Sequence, residues 1–172
     1  IEGEASFETP RDLSVRRADG TAERVEADAA IVASGSAPVI PPVPGIDLEG
    51  VITSTEALSL EAPPKSIAVL GGGVIGLEFA SLFSSLGASV VVVEMLPEIL
   101  PTMDAEIAGI LRSALARRGV AFHLGSRISE VARSGRDLAV RVETPSGPTT
   151  LRAERLLIAA GRRPVSEGLG LE

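Results

Sequence analysis

A chain that runs Ile67-Ala68-Val69-Leu70 straight into Gly71-x-Gly73-x-x-Gly76, and then into a helical pattern, has few folds open to it. The apolar run has the length of a strand buried on both faces. Gly71 permits a tight turn, Gly73 lets backbone approach a pyrophosphate, and Gly76 lets the next helix lie close on the strand. Leu77, Ala80, Ser81, Phe83 and Ser84 put small or apolar side chains at helical spacing, which predicts a helix from Val74 to Leu86 stopped by Gly87. Val90 to Val93 form a second apolar run that ends at Glu94. Strand, helix and strand in this order make a βαβ unit of the right-handed kind.

The start of such a helix presents unpaired N–H groups and the positive end of the helix dipole. Both favour a pyrophosphate. A carboxylate at the tip of the second strand can accept bonds from both hydroxyls of an adenosine ribose. Glu94 stands 18 residues after Gly76, near the offset of about 20 expected for that acid. It would repel a 2′-phosphate, and Met95-Leu96-Pro97 brings no arginine or lysine behind it. The expected cofactor is therefore NAD, not NADP.

Composition narrows the rest. The 172 residues are 45% hydrophobic, enough for one full domain or one domain with part of another. Net charge is −7 and Lys65 is the single lysine, while Trp and Tyr are absent, so a nucleic-acid surface is not expected. No apolar run reaches the roughly 18 residues that span a bilayer, so no membrane partner is expected and the location read from the sequence is cytoplasmic. No cysteine is present for a disulfide, a thiol nucleophile or a thiolate metal site, and no metal site is expected. The lone His123 lies in the apolar run Val120 to Leu124 and reads as a strand residue.

Taken in order, Ala5-Ser6-Phe7, Leu13 to Arg16 and Arg24 to Glu26 read as antiparallel strands with a turn at Ala18-Asp19-Gly20. Ala29 to Ala33 is apolar throughout and predicts a strand buried on both faces. Pro38 to Pro44 holds four prolines in seven residues and reads as a stiff linker. Ser54 is a candidate cap for a short helix. Asp104 caps a helix through Arg118, with Ile107, Ile110, Leu111, Ala114 and Leu115 predicted on its buried face. Val120 to Leu124 reads as a third parallel strand. Arg127 to Val131, Leu138 to Glu143 and Thr149 to Arg152 read as a three-stranded meander, and Leu156 to Ala160 as a further buried strand.

The chain also repeats itself. Arg11-Asp12-Leu13-Ser14-Val15-Arg16 matches Arg136-Asp137-Leu138-Ala139-Val140-Arg141, and Ala30 to Pro38 matches Leu156 to Pro164, each ending in an apolar run and Gly-x-x-Pro. The second copy has its glycine loop 65 residues upstream of Arg136; the same offset from Arg11 falls before residue 1. The expectation is a piece of a protein with two dinucleotide-binding domains.

Together with Ser54-Thr55-Glu56-Ala57-Leu58, Glu94-Met95-Leu96-Pro97-Glu98-Ile99-Leu100-Pro101 and Met103-Asp104, these segments make the chain resemble the pyridine nucleotide-disulfide oxidoreductases, most of all their dihydrolipoamide dehydrogenase branch. The resemblance spans essentially the whole chain. It implies an α/β fold: a Rossmann-like NAD-binding domain at 38–160, with a parallel sheet, helices on one face and a three-stranded antiparallel meander on the other. Flanking it would be the C-terminal part of an FAD-binding domain at 1–37 and a return segment at 161–172. Gly71, Gly72, Gly73, Val74, Ile75 and Gly76 match the NAD pyrophosphate loop, and Glu94 the adenosine-ribose ligand. Glu78 matches a carboxylate near the nicotinamide carboxamide, Ile128 a position that packs on the adenine, and Gly161 a backbone contact to NAD. Ser34, Gly35 and Ser36 match residues near the flavin nucleotide, and Ala5 a strand position beside its adenine.

Enzymes of this kind pass hydride between NAD(H) and FAD and on to a redox disulfide. The implied partners are NAD(H), the remaining FAD and dimerisation domains, a second copy in a homodimer, and a 2-oxo acid dehydrogenase complex. The disulfide, the FAD phosphate loop and the acid–base pair of the family are missing from this stretch, which is not expected to turn over alone and holds no catalytic residue. Mercuric reductase, NADH oxidase and coenzyme A-disulfide reductase share most of the motif, and a non-catalytic nucleotide-binding module is the alternative of a different class. Glu78 has a plain alternative as a solvated carboxylate in the first turns of its helix.

Overall fold

The computed structural model describes residues 1–171. It divides into two compact units, Ile1–Ala37 with the stretch from Arg163, and Pro38–Arg162. In the first, β1 (Glu4–Phe7), β2 (Asp12–Arg16) and β3 (Ala22–Glu26) form an antiparallel sheet in that order. Ala5 pairs with Val15, and Ser14 with Arg24. The β2–β3 turn closes where Asp19 Oδ1 accepts the Thr21 N–H at 2.9 Å and Gly20 takes φ +84°, a left-handed value that costs glycine nothing.

Ala29 to Ala33 corrects the expectation. It forms no strand and is exposed, with Ile31 at 93%. A strand apolar on both faces needs ladder partners and a layer on each side, and the described residues of the first unit supply neither.

The second unit is built on a five-stranded parallel sheet. Its strands are β5 (Val51–Thr53), β6 (Ser66–Leu70), β7 (Ser89–Val93), β8 (Ala121–His123) and β12 (Arg155–Ile158), in the order β5-β12-β6-β7-β8. The pleat sorts its side chains. Ile67, Val69, Val90, Val92 and Leu157 point to a core shared with α1 (Ser54–Ala57), α2 (Val74–Ser85) and α3 (Ala105–Arg117). Ala68, Val93 and Leu156 point the other way, into a core with Ile128, Leu138, Val140 and Val142. Those last four belong to the antiparallel meander of β9 (Arg127–Ser134), β10 (Asp137–Thr144) and β11 (Gly147–Ala153). Runs such as Val90 to Val93 are apolar without alternation because both faces are covered. Each fully buried Leu or Val contributes about 1.5–3 kcal/mol. The expected fold class, a parallel sheet between helices and a meander, is the observed one.

Three local readings change. The proline-rich segment is packed against the domain: Val43, Ile46 and Leu48 lie on the meander core, and the Val131 N–H donates to Pro44 O at 2.8 Å. The cap of α1 is Thr53, not Ser54. Thr53 N donates to Glu56 Oε2 at 2.7 Å while the Thr53 hydroxyl accepts from Thr55 N, a capping box at the end of β5, a strand too short to stand out in the sequence.

The third change concerns α3, which buries Ala108 and Leu115 and half-buries Arg112, whereas Ile107 and Ile110 are 59% and 58% exposed and Leu111 and Ala114 stay at the rim. The helix carries two apolar stripes. Its rotation is set by small Ala108 lying close to the core and by Arg112 reaching Glu98. Two further short strands, β4 (Ser36–Pro38) and β13 (Arg162–Pro164), contain the division between the units. No helix among the described residues is long and apolar enough to cross a membrane.

Asp104 caps α3 as its sequence position predicts, Oδ1 accepting from Glu106 N at 2.9 Å and Ile107 N at 3.3 Å. Asp104→Ala should cost about 1 kcal/mol, a melting-temperature loss of about 2–4 °C for a chain of this size. Differential scanning calorimetry checks it; a loss above roughly 10 °C would mean that the cap does more than end a helix.

Candidate nucleotide site

The C-terminal ends of β6, β7 and β12 open onto one cavity of about 560 Å³ within the second unit. That is where a ligand belongs in an open parallel sheet. The loop between β6 and α2 forms its floor, and its geometry follows from three glycines. Gly71 takes φ +110°, and a Cβ there would sit 2.4 Å from Ala159 O. The end of β6 is pinned on both sides, with Gly71 N donating to Val93 O at 2.9 Å and Ala159 N to Leu70 O at 2.8 Å. Gly76 brings α2 down so closely that a Cβ would lie 2.1 Å from Gly71 O. Gly73, by contrast, faces open space.

Gly73 is the N-cap of α2 and offers no side-chain bond. The first bond of the helix runs from Leu77 N to Gly73 O at 3.0 Å. The N–H groups of Val74, Ile75 and Gly76 therefore precede the helical ladder, and Gly73, Val74 and Ile75 line the cavity. Positive dipole and orphan donors converge there without a protein carboxylate to cap them, an arrangement suited to an anion.

Glu94 supplies the second element. It is 9% exposed and lines the same cavity. Its Oε2 accepts from Gly72 N at 2.6 Å and its Oε1 from Leu96 N at 2.8 Å. Two backbone donors hold the carboxylate in one orientation, and each oxygen keeps acceptor capacity for a further donor. Ile128, 6% exposed at the start of β9, forms an apolar wall, and Gly161 (φ +112°) lies at the rim.

Seven of the residues singled out from the sequence thus share one cavity: Gly71, Gly73, Val74, Ile75, Glu94, Ile128 and Gly161. Gly72 and Gly76 stand behind it, buried and shaping the loop. Glu78 is exposed on α2 and does not line the cavity. Ala5, Ser34, Gly35 and Ser36 belong to the first unit and are exposed there. Within it the Ser34 hydroxyl donates to Val165 O, and Gly35 O accepts from Val165 N at 3.0 Å.

Other wall residues escaped sequence reading: Met95, Ser126, Arg127 and Arg162, with Pro41 and Val43 from the proline-rich segment. The signal for Arg127 was available, because it directly precedes Ile128 on the strand that leaves β8 at the ligand end of the sheet. Ser126 N donates to Glu94 O at 2.9 Å, which brings that strand beside the acid. The absence of a cation just after Glu94 is therefore a weaker argument against a 2′-phosphate than it looked, since arginines reach this wall from elsewhere. Discrimination rests on the carboxylate.

Comparisons with known proteins bear on the family of the chain as a whole. The family model described as pyridine nucleotide-disulphide oxidoreductase matches residues 2–172. Dihydrolipoamide dehydrogenase of Chaetomium thermophilum is 41% identical over 177 residues, covering 100% of this chain and 35% of that protein. Dihydrolipoyl dehydrogenase of Trypanosoma brucei brucei is 41% identical over 174 residues, covering 99% of this chain and 36% of that protein. Among solved structures, the HOCl-induced flavoprotein disulfide reductase RclA of Escherichia coli, as its Cu(II) complex, superposes with a TM-score of 0.84 at 32% identity, over 98% of this chain and 37% of that one. LpdA of Mycobacterium tuberculosis gives 0.82 at 34% identity, over 98% and 37%. The chain spans about a third of the length of these relatives, and the resemblance to the dihydrolipoamide dehydrogenase branch holds along all of it. A glycine turn that only glycines can make, a buried acid at the next strand tip and a family match over residues 2–172 place this chain in the pyridine nucleotide-disulphide oxidoreductase family.

Proposed function

We propose that the second unit is the NAD(H)-binding domain of an FAD-dependent disulfide oxidoreductase of the dihydrolipoamide dehydrogenase type. The observation that carries this reading is the Glu94 carboxylate, buried and oriented by Gly72 N and Leu96 N beside an uncapped helix start. The α2 start receives the pyrophosphate, Glu94 accepts from the ribose hydroxyls, and Ile128 packs on the adenine. The dinucleotide, when bound, supplies hydride chemistry at its nicotinamide, exchanged in the whole protein with FAD and a redox disulfide. This chain's part is to bind and orient. The glycine loop fixes the phosphates, the acid selects the sugar, and the apolar wall excludes water around the base.

Glu78 is proposed to reach the nicotinamide end from the exposed side of α2, and Ala5, Ser34, Gly35 and Ser36 to contribute to the flavin site of the whole protein. No cysteine lies in this stretch, so the disulfide has to come from elsewhere in that protein. A homodimer, association with a 2-oxo acid dehydrogenase complex and a cytoplasmic location complete the proposal. A related flavoprotein of different disulfide specificity is the second reading, favoured by the likeness to RclA.

Calorimetric titration of the full-length protein with NAD and NADP tests the assignment. NAD should bind at least about thirtyfold more tightly, roughly 2 kcal/mol, because a 2′-phosphate would face a carboxylate already committed to two backbone donors. Equal affinities would remove Glu94 from the role given to it.

A further inference from the structure

Gly72 lies outside the Gly-x-Gly-x-x-Gly pattern, yet both its N–H and its carbonyl are hydrogen-bonded. Its N–H donates to Glu94 Oε2 at 2.6 Å and its carbonyl accepts from Leu100 N at 3.0 Å. A Cβ on Gly72 would lie 3.0 Å from Ile99 Cγ2 and 3.1 Å from Glu94 Oε2. One side of the ribose-reading carboxylate is therefore packed through Gly72 against the loop from Leu96 to Pro101. Leu100 in that loop takes φ +50°, a left-handed conformation that leucine rarely adopts. Surrounding contacts must hold it there.

The charged tether of that loop is Glu98. Its Oε1 accepts from Arg112 Nε at 2.8 Å and its Oε2 from Arg112 Nη2 at 3.1 Å, a forked pair from the middle of α3. The same Oε1 accepts from Ile99 N at 2.9 Å, so the pair also fixes the peptide that carries Ile99. The Arg112 guanidinium, followed by the Ile99 N–H, holds the Glu98 carboxyl below its usual pKa. A surface ion pair contributes little to overall stability. This one closes onto a loop in a rare conformation that touches the glycine turn, and its effect should appear in the site.

We propose that Arg112, acting through Glu98, is a positioning residue that holds the Leu96–Pro101 loop against Gly72 and so fixes the orientation of Glu94. It does not line the cavity. The inference rests on the nucleotide site proposed above and adds a determinant of NAD-over-NADP selectivity outside the cavity.

The test uses the full-length protein, with affinities for NAD and NADP and a melting temperature measured on Arg112→Met, Arg112→Lys and Glu98→Gln. Arg112→Met keeps much of the apolar stem and removes the fork. It should weaken NAD binding about tenfold, in the range of coupling between neighbouring groups, and weaken NADP less, so that the NAD/NADP ratio narrows several-fold. The melting temperature should move by no more than about 3 °C. Arg112→Lys should recover part of the ratio, because a lysine keeps the charge without the fork. Glu98→Gln should narrow the ratio as well, and it decides the matter if Arg112→Met does not fold. A wild-type preference for NAD that Arg112→Met leaves unchanged, or a fall in melting temperature without a change in the ratio, overturns the positioning role. A wild type that binds neither cofactor overturns the site itself, and this proposal with it.

Discussion

Gly76→Ala is expected to destabilise the second unit by about 3 kcal/mol or more, at or above the upper end of the range for an overpacked core. For a chain of this size that lowers the melting temperature by about 6–12 °C. The added Cβ would fall 2.1 Å from Gly71 O and 3.2 Å from both Gly71 C and Val69 Cγ1. The nearest obstacle is a backbone carbonyl, not the end of a flexible side chain, so no rotamer change relieves the clash. Either α2 lifts off β6, opening the contacts of Leu77 and Ala80 with the sheet, or Gly71 moves and gives up its bond to Val93 O. Both responses disturb the glycine turn on which the proposed nucleotide site rests, so nucleotide affinity should fall together with stability. Thermal melting and NAD titration on the same preparation check it. A melting temperature within about 2 °C of wild type would mean that the helix is not held where the structure puts it.

The parts legible in the sequence were those where a local pattern and a tertiary demand coincide. The β6–α2–β7 unit could be placed because the strands are apolar on both faces and because Gly71 and Gly76 answer to steric limits that only glycine meets. The meander was legible as a repeat: β2 and β10, which carry the matching sequences, are each the middle strand of a three-stranded antiparallel sheet. Other features depended on partners that a sequence does not display. The apolar run Ala29 to Ala33 has strand composition and no strand, because a ladder needs a neighbour. The α3 pattern allowed two rotations, and the choice between them lies in contacts with Glu98 and the core. β5 is only three residues long and takes its place from pairing with β12. In the site, the glycine motif and Glu94 were read from local pattern and Ile128 and Gly161 through the family resemblance, whereas their neighbours Arg127 and Arg162 were not assigned to it, since no local pattern ties those strand ends to the glycine loop.

Gly73→Ala should give the reverse of Gly76→Ala: a melting temperature within about 2 °C of wild type and NAD affinity lowered at least about a hundredfold, roughly 2.7 kcal/mol. Gly73 has φ −78° and ψ −177°, values open to alanine, and no protein atom beyond its own chain neighbours lies within 4 Å of the position of an added Cβ. No steric contact in the folded protein resists the substitution, and the freedom removed from the unfolded chain by losing a glycine offsets alanine's poorer fit at an N-cap. The open space is the cavity floor beside the first N–H groups of α2. A phosphate drawn to those donors at hydrogen-bond distance has no room for a methyl group between itself and the backbone. Gly71, Gly72 and Gly76 would answer mutation through packing against protein, so Gly73 alone of the four separates recognition from folding. Calorimetric titration with NAD and a melting curve on the same variant form the measurement. If affinity and melting temperature both stay at wild-type values, the β6–α2 turn is an ordinary strand-to-helix connection, and Glu94 loses the phosphate anchor that would bring a ribose within its reach.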